Sequence, residues 1–69
     1  MIVESGKEGK VVDYDEDRND AYIDYKHLGR QVYLPFEQAN GKDLEDGNKV
    51  TFDIEMKDDE PHATNVKRK

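Results

Sequence analysis

The run KVTFDIEM, residues 49–56, alternates without a break: Val50, Phe52, Ile54 and Met56 fall on one side, Thr51, Asp53 and Glu55 on the other. A period of two marks a half-buried β-strand, because successive side chains point to opposite faces. The run therefore predicts a strand whose first set enters the core. Upstream, EQANGKDLEDGN carries the turn pairs Asn40-Gly41 and Asp46-Gly47, with Leu44 as the one large apolar residue between them. Leu44 is expected to plug one end of the core. Downstream, KDDE reads as a turn, and PHATNVK as a last strand anchored by Ala63 and Val66.

The first half of the chain repeats the pattern. GKVVDY, residues 9–14, is β-prone and is followed by the polar turn DEDRND. In AYIDYK, residues 21–26, Ala21, Ile23 and Tyr25 share one face and Tyr22, Asp24 and Lys26 the other. After the turn HLGR, the run QVYLPF puts Val32 and Leu34 opposite Tyr33 and Pro35. Pro35 has no N–H to give a ladder, so the strand ends near it and Phe36 leaves the sheet. Tyr22 and Tyr33 are thus expected to share an outer face, above Ile23, Val32 and Leu34. A register slip of one residue would invert that set.

Five short strands with no amphipathic helix predict an all-β fold, a small five-stranded antiparallel barrel. Closure suits 69 residues, since it removes the strand edges that invite aggregation. Such a chain buries only about 60% of the surface it exposes when unfolded, so its core is single and thin. There is no Cys to add a disulfide or a thiolate zinc site. Charged residues make up 41% and hydrophobic ones 33%, a composition near that of disordered chains, but the apolar residues are gathered into alternating clusters. One domain, 1–69, is expected, with residues 1–7 and 67–69 as loose ends. No apolar run approaches a membrane span and Met1 to Lys7 lacks a signal-peptide core, so the expectation is a cytoplasmic monomer away from membranes.

Chemistry of a catalytic kind has little to work with. Ser5 is the only serine and lies near the start, and His27 and His62 each lack a second His or Cys close in sequence. DYDEDRND alternates acids but lacks the glycine and final glutamate of an EF-hand loop. The expectation is a binding protein, not an enzyme, with no cofactor and no metal. With 17 acidic and 11 basic residues the formal charge is −6, which opposes strong nonspecific duplex binding. It leaves base stacking open, since each stacked base is worth about 1–3 kcal/mol.

The order of these pieces resembles the cold-shock domain, a five-stranded OB-fold that binds single-stranded RNA and DNA. The resemblance spans Glu8 to Lys67. LEDGNKVTFDIE, residues 44–55, is similar to the family's Leu-x-Glu-Gly-x-x-Val-x-Phe segment, and PHATNV, residues 61–66, to its closing Pro-x-Ala-x-Asn-Val segment; GKVVDYD stands at the matching distance. The ligand motifs are degraded. RNDAYI, residues 18–23, aligns with Lys-Gly-Phe-Gly-Phe-Ile, and VYLPF, residues 32–36, with Val-Phe-Val-His-Phe. Asp13 replaces the family's exposed Trp, Asp20 its first Phe and Pro35 its His, while Tyr14 stands for a Phe.

The resemblance implies base stacking on Tyr14, Tyr22, Tyr33 and Phe36, with phosphate contacts from Lys10, Arg18, Lys26 and Arg30. The implied partner is single-stranded RNA or DNA, bound weakly, and the implied role is RNA chaperoning or control of gene expression. The competing expectation is a protein-binding adaptor that has lost nucleic-acid binding, its Asp13 and Asp20 facing a basic protein partner. A third is a structural barrel with little binding of any kind.

Overall fold

The alternation of residues 49–56 is realised as a strand that forms the back of a closed barrel. The computed structural model describes residues 1–69 as β1 (Ile2–Asp15), β2 (Asp20–His27), β3 (Arg30–Leu34), a helical turn α1 (Phe36–Ala39), β4 (Lys49–Lys57) and β5 (Glu60–Arg68). Neighbours around the barrel run β1-β2-β3-β5-β4 and back to β1. The fold is a closed all-β barrel, as the alternation predicts, and is OB-like. Four of the five seams are antiparallel; β3 and β5 run parallel and meet through the registered pair Tyr33 and His62.

Most of the inward set is the one read from the sequence, to which the structure adds Val11. Val50, Phe52, Ile54, Ile23, Val32, Leu34, Val11, Ala63 and Val66 are buried, and Leu44 joins them from the long connection. Tyr25 packs edge-on against Phe52 with ring centroids 5.6 Å apart. Met56, expected in the core, is only half-buried: it lies opposite Pro61 next to the β4–β5 turn, where the barrel ends.

Strand β1 serves two walls, pairing with β4 along its first half and with β2 along its second. Its pairing register shifts at Glu4–Lys7 and at Val12–Asp15, where Gly6 and Asp13 have φ of 67° and 53°. Bulges of this kind bend a strand and raise its twist, which lets one strand turn the corner of a small barrel. Gly9 lies between them, where β1 passes so close to β2 that a Cβ there would stand 2.6 Å from Ile23 Cγ2. Only glycine allows that approach.

The expected loose ends are in fact paired. Ile2, Glu4 and Lys7 oppose Glu55, Ile54 and Phe52, while Lys67 and Arg68 oppose Thr51 and Val50. Polar clamps account for it. Asp53 accepts the Gly6 N–H at 3.0 Å and the Asn65 amide at 2.8 Å, joining both edges of β4. The Glu4 carboxylate accepts from Tyr25 Oη at 3.4 Å, pairs with Lys7 at 3.3 Å and binds His27 Nδ1. These contacts hold the Glu4 carboxyl below its usual range, the His27 hydrogen bond first among the causes.

Two hairpins close tightly. Leu28-Gly29 and Asp58-Asp59 occupy the central turn positions between the pairs His27/Arg30 and Lys57/Glu60, and all four have positive φ. Two successive positive φ values are what a type I′ turn demands, and its twist matches that of the flanking strands.

Candidate nucleic-acid interface

Register brings the outward residues of three strands into a row. Tyr22 on β2 opposes Tyr33 on β3, and Tyr33 opposes His62 on β5. The rings meet edge to face: Tyr22 and Tyr33 have centroids 5.4 Å apart at 61°, Tyr33 and His62 5.2 Å apart at 68°. Such T-shaped pairs add attraction because the positive edge of one ring meets the negative face of the next. The shared outer face of Tyr22 and Tyr33 is therefore present, and the row has a third ring that sequence reasoning did not place there.

Each ring has its own exposure. Tyr22 is 40% exposed and is the ring most open to a ligand. Tyr33 is half-buried, and its hydroxyl donates to the carboxylate of Asp20. Burial, and then this carboxylate, push the Tyr33 hydroxyl above the usual phenol range, so it stays protonated and keeps donating. Asp20 is itself 7% exposed, and Arg18 Nη2 reaches the same carboxylate oxygen, Oδ2, at 3.1 Å. Tyr33 is thus a fixed floor against which Tyr22 leans.

Asp20 corrects an expectation. Read as an open acidic replacement on the ligand face, it does share the Tyr22 side of β2, but it is buried there and satisfied by Tyr33 and Arg18. At the first position of β2, beside the irregular β1–β2 turn, its carboxylate meets the Tyr33 hydroxyl from across the hairpin. Its charge is neutralised at source. So, however, is that of Arg18, whose guanidinium is held more firmly protonated by Asp20.

The other sequence candidates lie apart from the row. Tyr14 is half-buried at the β1–β2 corner, donating its hydroxyl to Asn19 and its N–H to Asp46 Oδ1 at 2.8 Å. It lines a recess with Glu16, Glu45 and Asp46, three carboxylates that oppose a phosphate backbone. Phe36 is 47% exposed where α1 begins and makes no ring pair with the row. Arg30 sits at the β2–β3 turn and donates from Nη1 to the Asp59 carbonyl at 3.2 Å. Lys10 stands opposite Lys49 on the β1–β4 seam, and Lys26 lies beyond the β2 irregularity near the hairpin end. All three are exposed cations around the barrel, with no convergence on the rings.

The floor of the row opens into a shallow cleft of about 340 Å³, lined by Tyr22, Tyr33, His62, Arg18, Lys57, Asp58 and Glu60. His62 Nε2 is 4.0 Å from the Glu60 carboxylate. Cations and anions alternate around the cleft, so it offers rings and hydrogen-bonding groups with no single-sign field. No three His, Asp or Glu side chains converge as metal ligands would. Compared with known proteins, the chain matches no family model and no curated protein sequence significantly.

Proposed function

We propose that this barrel binds single-stranded RNA or DNA without catalysing any reaction, by stacking bases on the outer face of β2 and β3. The observation that carries the reading is the exposed Tyr22 ring held edge-on by Tyr33, whose hydroxyl is anchored on buried Asp20. Oligonucleotides bind OB barrels over the second and third strands, where these two residues lie. The resemblance to cold-shock domains supports the same face.

The affinity is modest by construction. Two stacked bases contribute about 2–6 kcal/mol, and 1 mM corresponds to about 4.1 kcal/mol. With Arg18 tied to Asp20 and a formal charge of −6, electrostatic attraction adds little. Weak, rapid contact with unpaired bases is what RNA chaperoning requires, and we place that role with the binding.

An NMR titration of labelled protein with short mixed-sequence single-stranded RNA and DNA at low salt tests the proposal. Saturable shifts centred on Tyr22, Tyr33 and His62 are expected. No shifts at millimolar ligand overturn it. The second reading, an adaptor for a basic protein, draws on the Tyr14 recess with Glu16, Glu45 and Asp46. Binding of a basic peptide that weakens on Asp13→Asn and Glu16→Gln would support it in place of the first.

A further inference from the structure

Cations are plentiful on this barrel, yet their placement singles out one. Lys57, at the end of β4, is exposed and forms no ion pair, whereas Arg18 beside the same rings is bound to Asp20. Glu60, its register partner, turns its carboxylate toward His62. Lys57 and His62 line two clefts at once: the one floored by Tyr22 and Tyr33, and a second of about 300 Å³ that reaches Gln38 and Thr64 beside α1. They form the ridge between the two.

We infer that Lys57 is the phosphate contact of this site, and that a single strand crosses the Lys57–His62 ridge from Tyr22 on β2 toward α1. The inference rests on the stacking function proposed above. Charge gives the path its shape. Asp58 and Glu60 border the first cleft, and Glu37 and Glu55 the second. A phosphate placed in either cleft meets carboxylates; one placed over the ridge meets an unpaired ammonium. Bases can then fall to both sides, one against Tyr22 and Tyr33 and one against the far side of His62. Lys57 and His62 come from β4 and β5, strands that contribute nothing to the residues first implied as the ligand face.

The number of phosphates contacted is readable from salt. For single strands, log K falls with log salt by about 0.7 per neutralised phosphate, so one contact gives about a fivefold loss of affinity per tenfold rise in salt. The 69-residue chain titrated with a short mixed-sequence single-stranded DNA should show that slope. Lys57→Gln should remove it, whereas Lys42→Gln, which makes the same change in net charge in the α1–β4 connection, should retain it. Amide shifts should appear at Lys57, His62, Thr64 and Gln38 as well as at Tyr22.

If Lys57→Gln binds with the same slope as the parent, or if shifts stop at Tyr22 and Arg18, the ridge path is wrong and the stacking function stands. If the parent chain binds no oligonucleotide, both fall. Because Lys57 is solvent-exposed, an unchanged amide spectrum of the free variant separates lost contact from lost fold.

Discussion

The wall formed by β1 and β4 and the face formed by β2, β3 and β5 use the same alternation for different ends. On the wall, outward polar residues are clamps: Asp53 joins Gly6 to Asn65, and Glu4 gathers Lys7, Tyr25 and His27. Where β1 passes on to β2, Gly9 has no room for a Cβ beside the Ile23 side chain. On the face, the outward residues are rings, and one carboxylate beside them, Asp20, anchors the Tyr33 hydroxyl. A chain with a thin core secures one side with hydrogen bonds and ion pairs, which leaves the other free to present apolar surface. Stability and binding should therefore separate under mutation.

The largest separation is expected from Gly9→Val. Its branched side chain would collide with Ile23, and overpacking of this kind costs up to about 3 kcal/mol. That is a large share of a small domain's stability. Thermal unfolding followed by circular dichroism should show a drop of several degrees or more, while affinity measured on the folded fraction is kept. Equal stability to the parent would mean that the packing of β1 against β2 is looser than the structure shows.

Tyr22→Ala should do the reverse. Loss of one stacked base weakens binding by about 1–3 kcal/mol, or about 5- to 150-fold, with little change in unfolding temperature. Tyr14→Ala should leave oligonucleotide affinity where it was, since Tyr14 sits among carboxylates at the β1–β2 corner. Should Tyr14→Ala weaken binding as much as Tyr22→Ala, the division between face and corner fails.

Tyr33→Phe touches both sides of the comparison. The ring stays, but Asp20 loses a donor while remaining buried, a change worth about 1–2 kcal/mol of stability. Binding should fall less than with Tyr22→Ala. Denaturant unfolding and titration of the same sample give the two quantities together.

The smallest effect is a pH dependence on the wall. The Asn65 amide, followed by the Gly6 N–H, holds the Asp53 carboxyl below its ordinary value of 3.8. A carboxyl with a lowered folded pKa adds stability in full above the unfolded value and loses it as pH falls through the folded one. Unfolding temperature measured from neutral pH downward should therefore fall less steeply below 3.8 in Asp53→Asn than in the parent. Parallel acid limbs in the two proteins would show that this clamp does not contribute.

How much of this was legible in the sequence depended on how local the cause was. Residues 49–56 and 21–26 could be assigned to faces because a period of two is written in neighbours. Tyr22 and Tyr33 could be paired because a short hairpin turn sets their register. His62 could not be brought to Tyr33 by any local pattern, since the β3–β5 seam is parallel and joins distant parts of the chain. Asp20 looked exposed because a carboxylate in a polar turn nearly always is; its burial depends on two partners, one of them across the hairpin. The first half of β1 was hidden because ESGKEG has no alternation, and its pairing rests on Glu4 and on the Asp53 contact with Gly6. The helical turn α1 is four residues long, too short for any periodicity to show.

The single registered pair between β3 and β5 has a kinetic consequence. That seam brings together segments far apart in the chain and holds them by the fewest ladder contacts, so local opening of the barrel is expected there first. The ring row lies across it. On the function proposed here, a single strand resting on Tyr22, Tyr33 and His62 would strap the joint shut, and opening the joint would take the platform apart. Ligand release and amide hydrogen exchange along β3 and β5 would then share one motion, and the protection gained by those amides would report how fully the face is occupied.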